Sequence, residues 1–112
     1  MGMNLAAALL ALLTQGQPAS EQELLPLGLC LQTEAFLQGA AEPSAEVAVA
    51  YAMLKCRAVE FDLRGAVVSN LAHRTGDRAY AEENAEALIL AFKVAMTADL
   101  LERARGAYQA KN

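Results

Sequence analysis

The sequence predicts an all-α fold, a small helical bundle of about four helices built on a long antiparallel helical hairpin. Alanine and leucine supply most of a hydrophobic fraction of 55%, and both residues favour helix over sheet. Residues 77–111 contain no proline and a single glycine, Gly106. Such an uninterrupted stretch indicates one long helix.

The length of 112 residues suits one hydrophobic core and is too small for two. We therefore predict a single helical domain over residues 1–112. Its short helices are expected at about 4–14 and 20–38, and its long hairpin at about 44–74 and 77–110. The connection between the long helices is short, so they should run antiparallel.

Side chains that cap helix N-termini stand at the predicted helix starts, namely Asn4, Ser20, Ser44 and Asp77. Ser20 also has Glu23 three residues later, which is the capping-box pattern. Pro26 follows within the second helix, where its ring removes a backbone donor. We therefore expect either a kink at residues 25–28 or a helix start shifted to Leu24.

The helix at 44–74 carries an apolar stripe that follows alternate steps of four and three residues. Its members are Val47, Tyr51, Leu54, Ala58, Phe61, Gly65, Val68 and Ala72. This spacing is typical of helix packing, and it leads us to expect that the stripe is buried in the hairpin. Gly65 either permits close approach of a neighbouring backbone or marks a local bend.

The hairpin stripes give a list of residues expected in the core: Leu54, Phe61, Val68, Leu88, Phe92 and Ala95. Replacing Phe61 or Phe92 by alanine should then destabilise the fold by roughly 3–5 kcal/mol.

The last helix is apolar in more directions than one partner helix covers. Between Ala87 and Leu101 its only charges are Lys93 and Asp99, so its apolar surface is wider than a single stripe. We expect part of it to form an interface in a twofold dimer or with another helix. The candidate interface residues are Leu88, Ile89, Leu90, Phe92, Val94 and Met96.

Cys30 and Cys56 are the only cysteines, and their spacing matches neither a zinc site nor a disulfide framework. They are expected to be small buried thiols in a reducing compartment, which indicates a cytoplasmic location. Residues 5–13 form an apolar run that is too short to span a bilayer and lacks preceding basic residues. A first helix is the favoured interpretation, and an export signal is the alternative.

Catalytic chemistry has little support in this sequence. His73 is the only histidine, which excludes a metal site that needs two imidazoles. No phosphate-binding loop, dinucleotide fingerprint or nucleophile elbow occurs. The net charge of −4 comes without a basic stripe, which argues against nucleic acid as a partner. We predict no enzymatic activity, no catalytic residue, no metal and no cofactor.

These observations favour a non-enzymatic helical protein-interaction module, homo-oligomeric or chaperone-like, that shields or pairs apolar helix surface. In length, acidity and Leu/Ala content the chain resembles small chaperones and adaptors that shield apolar helices of secretion or assembly subunits. The alternative is a helical bundle that binds a small apolar ligand. Alanine-rich stripes favour the interaction module, because small side chains close the gaps between helices instead of lining a cavity.

Overall fold

The computed structural model describes residues 18–112, with side chains described from residue 22 onward. The helix predicted at 4–14, the apolar run at 5–13 and the Asn4 cap lie outside this part of the chain. Residues 18–112 contain four helices and no strand, which confirms the all-α prediction. The helices are α1 (Pro18–Ala41), α2 (Ala45–Lys55), α3 (Arg57–Thr75) and α4 (Arg78–Lys111).

Helix α1 begins earlier than predicted and continues through its internal proline. Pro18 starts the helix, where its missing amide hydrogen has no helical partner to lose. The helix thus begins two residues before the predicted Ser20, the alternative start at Leu24 is wrong, and Pro26 stands within one continuous helix. The carboxylate of Glu23 accepts a hydrogen bond of 2.6 Å from the Asn70 side chain and so joins α1 to α3.

The predicted helix at 44–74 is interrupted at Cys56, which separates α2 from α3. Cys56 has φ −96° and ψ 9°, away from the helical ψ of about −42°. Hydrogen bonds still run from Cys56 N to Ala52 O and from Glu60 N to Cys56 O, each 3.0 Å long. The interruption is therefore a kink between two nearly continuous helices, and no loop separates α2 from α3.

A disulfide joins Cys30 of α1 to Cys56 at this kink. The prediction of two free thiols is wrong. The two cysteines are 26 positions apart in the sequence, so their spacing says nothing about the packing of α1 against the α2–α3 junction. That packing brings their Cα atoms to 6.0 Å, which is within the usual range for a disulfide.

The caps predicted at the starts of the helices that follow α1 act as expected. The Ser44 hydroxyl accepts a hydrogen bond of 3.2 Å from the Val47 amide, and the Asp77 carboxylate accepts one of 3.0 Å from the Tyr80 amide. Gly76 ends α3 with φ +72°, a left-handed conformation that side chains disfavour. The starts of α2 and α4 therefore follow from their own caps.

The helices form three rods, with α2 and α3 together making the kinked middle one. Helices α3 and α4 are antiparallel, because Arg64 pairs with Glu86 at 2.7 Å and Glu60 pairs with Lys93 at 2.8 Å. The predicted hairpin is thus present in direction, but its first arm is only α3.

Helix α1 runs parallel to α4 and touches it at two glycines. A Cβ added at Gly28 would lie 3.2 Å from the Phe92 ring, and one added at Gly39 would lie 2.5 Å from Ala104 Cα. The absent side chains of these glycines therefore allow α1 and α4 to approach closely.

The core lies where the three rods meet and is built from aliphatic side chains. Its largest fully buried members are Leu24, Leu27, Leu31, Leu100, Val67 and Cys56. The molecule measures 52 × 35 × 18 Å, so its thinnest dimension is less than two helix diameters of about 10–12 Å. Each rod therefore keeps one long face toward solvent.

Candidate interaction surface

The apolar stripe of α2 and α3 lies on the outside of the molecule over most of its length. Phe61 is 79% exposed and Leu54 is 57% exposed, so the prediction that they belong to the core is wrong. Val68, at 2% exposure, is buried as predicted. We call the solvent-facing part the outer stripe, and it consists of Val47, Tyr51, Leu54, Ala58, Phe61 and Gly65.

A second apolar stripe on the same two helices forms the core instead. Helix α2 buries Ala45, Ala48, Val49 and Ala52, and helix α3 buries Leu63, Val67, Val68 and Leu71. Two apolar stripes on one rod give the same helical spacing, so periodicity alone did not show which faces inward.

Unpaired charges flank the outer stripe. Lys55, Arg57 and Asp62 are exposed, and none of them forms an ion pair with another described residue. Lys55 and Asp62 are seven residues apart, which is about two helical turns, so they lie on the same flank. Arg57 lies on the other flank.

Among the residues that the structure describes, Gly65 has no neighbour that accounts for a glycine. A Cβ added there would meet nothing within 4 Å. Of the two interpretations left open by the sequence, Gly65 therefore does not provide close approach of a backbone from residues 18–112. A glycine at this exposed helix position costs about 1 kcal/mol relative to alanine.

The candidate interface residues of α4 divide into covered and accessible side chains. Ile89 is only 3% exposed and belongs to the core, and Leu88, Phe92 and Met96 pack partly buried against it. Their coverage arises because both α1 and α3 lie along α4. Leu90 and Val94 remain more than half exposed and available to a partner. Of the other residues expected in the core, Ala95 is only partly buried.

A second exposed apolar surface follows α1, which presents one face to the core and the opposite face to solvent. Leu25, Leu29, Phe36 and Leu37 are each more than half exposed. No heptad pattern extends over this face, because polar Gln32 and Thr33 interrupt it. The outer stripe therefore has the clearer helix-packing signature.

The space between α3 and α4 is an open groove of about 660 Å³ with a charged wall. It is lined by Arg64, Ala79, Glu82, Glu83, Glu86, Ala87 and Leu90. The hydrogen bond and negative charge of Glu86 raise the pKa of Arg64 above its ordinary value. An apolar ligand would have to face these carboxylates, which makes the groove a poor match for the alternative function.

Within residues 18–112, no group of three acidic, histidine or cysteine side chains is arranged to hold a metal ion. In the same part of the chain, no helix combines the length and hydropathy needed to cross a membrane. Comparison of the chain with protein-family models, with curated proteins and with solved structures found no match.

Proposed function

We propose that this chain is a non-enzymatic helical protein-interaction module whose outer stripe pairs with an apolar helix surface of another chain. The observation that carries the proposal is the exposure of side chains at helix-packing spacing, with Phe61 at 79%. Side chains at alternate steps of three and four suit interdigitation with a second helix. Large contiguous apolar patches are uncommon on soluble monomers and mark interaction sites.

The module pairs with copies of itself or acts as an adaptor for a helical partner. In both cases the rest of the fold supplies a rigid support, since the face of α2 and α3 opposite the outer stripe is fixed in the core. The disulfide adds a covalent link from α1 to the middle of this rod. A preorganised surface loses less conformational entropy on binding than a mobile one.

Light scattering of the purified chain across a concentration series tests this proposal. We expect the wild type to self-associate and Phe61→Glu to shift the mass toward the monomer, because a carboxylate on the outer stripe must be desolvated in the complex. Leu37→Glu is the matched control, since Leu37 is also more than half exposed but lies on α1.

The two variants should unfold at nearly the wild-type denaturant concentration when measured as monomers, because exposed substitutions usually change stability by less than about 0.5 kcal/mol. For Phe61, this small change in the free energy of unfolding replaces the loss of roughly 3–5 kcal/mol that is expected for a buried phenylalanine. Association that responds equally to both variants, or to neither, would remove the outer stripe as the interaction surface.

The compartment proposed here is an oxidising one. The cytoplasmic expectation depended on two free thiols, whereas a Cys30–Cys56 disulfide is typical of exported or extracellular proteins. Alkylation of the protein in acid-quenched native cells, followed by mass measurement, tests this. We expect both cysteines to remain unlabelled until reduction, and labelling of both without reduction would return the protein to a reducing compartment.

A further inference from the structure

We propose that the partner of the outer stripe is a second copy of the same chain, placed so that the two middle rods, each made of α2 and α3, pack antiparallel about a twofold axis. This inference rests on the proposed function and adds to it the identity of the partner and the alignment. Two observations support this arrangement: the sizes of the side chains along the outer stripe and the charges on its flanks.

From Leu54 to Gly65 the outer stripe alternates large and small residues in an order that suits antiparallel pairing with itself. An alignment that places Phe61 opposite Ala58 of the second copy also places Leu54 opposite Gly65 of the second copy, because both pairs share one midpoint. The twofold axis repeats each contact. Over the four layers from residue 54 to residue 65, large side chains then face small ones, which is the condition for close helix packing.

A parallel alignment lacks this complementarity. It would place Phe61 against Phe61 and Gly65 against Gly65, which crowds one layer and leaves a gap in the next. Voids and overpacked layers are both destabilising in helix interfaces.

The antiparallel alignment also gives Gly65 a role that the single chain does not. No described residue lies within 4 Å of a Cβ built on Gly65, and Leu54 of the second copy would occupy that space. The loss of helix propensity at Gly65 is then offset by contacts that exist only in the dimer.

Charge placement supports the same alignment. In an antiparallel helix pair each flank faces the same flank of the other helix, so Lys55 meets Asp62 of the second copy, twice in the dimer. On the other flank Arg57 meets Arg64 of the second copy, whose charge is already paired with Glu86 of its own chain. Both residues are exposed and have no ion pair with a described residue of their own chain. In a parallel pair the opposite flanks meet, and Arg57 would take the place of Lys55.

Charge reversal distinguishes these alignments by sedimentation of the full, disulfide-bonded chain. We expect Lys55→Glu and Asp62→Lys each to raise the dimer Kd on the order of tenfold, since each replaces two attractions by two repulsions. The double variant Lys55→Glu/Asp62→Lys should restore the wild-type Kd. Arg57→Glu is the control and should not weaken the dimer. Restoration by Arg57→Glu/Asp62→Lys instead would overturn the antiparallel alignment.

A second variant tests packing without changing charge. Gly65→Leu should leave the monomer folded, because the site is open and leucine is the better helix former, yet raise the dimer Kd by about a hundredfold through the clash with Leu54. Tighter association of Gly65→Leu would overturn the alignment. If Phe61→Glu abolishes self-association while the Lys55 and Gly65 variants associate like the wild type, the outer stripe is the interaction surface but this alignment is wrong. A wild type that is monomeric at every concentration overturns the second copy as partner.

Discussion

Gly39→Ala should lower the free energy of unfolding by about 2–3 kcal/mol, even though alanine is the better helix former. The new Cβ would lie 2.5 Å from Ala104 Cα and 2.6 Å from Ala104 O. These are backbone atoms of α4, which cannot turn aside as a flexible side chain does. Helices α1 and α4 must separate, and strain of this kind outweighs the gain of about 1 kcal/mol in helix propensity.

Gly65→Ala is the matched control for this experiment, because it makes the same chemical change at a helical position with no neighbour within 4 Å. Its monomer should gain up to about 1 kcal/mol. Urea denaturation followed by circular dichroism measures both variants at a concentration where the chain is monomeric. Equal stabilisation of the two would show that α1 and α4 do not approach closely at Gly39.

Removal of the disulfide should have the largest effect on stability. The bond joins residues separated by 26 positions, and closure of a loop of that length in the unfolded chain corresponds to about 3.5 kcal/mol. Reduction of the wild type should lower the free energy of unfolding by roughly this amount. The comparison is made by urea denaturation with and without reductant.

The control for reduction is Cys30→Ala/Cys56→Ala, whose stability should not depend on reductant and should lie below that of the oxidised wild type. Cys56 is 1% exposed, so this variant also loses some packing. A wild type whose unfolding is indifferent to reductant would mean that the two sulfurs are not bonded in the purified protein.

The features that the sequence predicted correctly depend on short-range signals. Ser44 and Asp77 act within one turn of their own positions, so the starts of α2 and α4 can be predicted from the sequence. The all-α class follows from composition, because the helix propensity of alanine and leucine is a property of each residue and does not depend on distant contacts. Pro26 is a local signal that does not decide the structure. Packing of Leu24 and Leu27 into the core keeps α1 helical on both sides of a residue that disfavours helix.

The features that the sequence did not reveal depend on contacts between distant segments. No proline or glycine stands at Cys56 to indicate a kink in the sequence. The kink lies at the residue that forms the disulfide with Cys30. Leu54 and Phe61 were assigned to the core because both apolar faces of α2 and α3 have helical spacing. The positions of α1 and α4 decide between those faces, and helical spacing within α2 and α3 carries no information about them.

Because of the Cys30–Cys56 bond, α1 and α2 stay covalently joined even if the turn between them is cut. Residues 42–44 form this turn and lie inside the covalent ring that the disulfide closes. A peptide bond cut there would leave both pieces in one covalent molecule, which would come apart only after reduction. A cut at Gly76, outside the ring, would release α4 as a separate peptide held by packing alone. The molecule therefore tolerates a break in the turn at residues 42–44 far better than a break at Gly76.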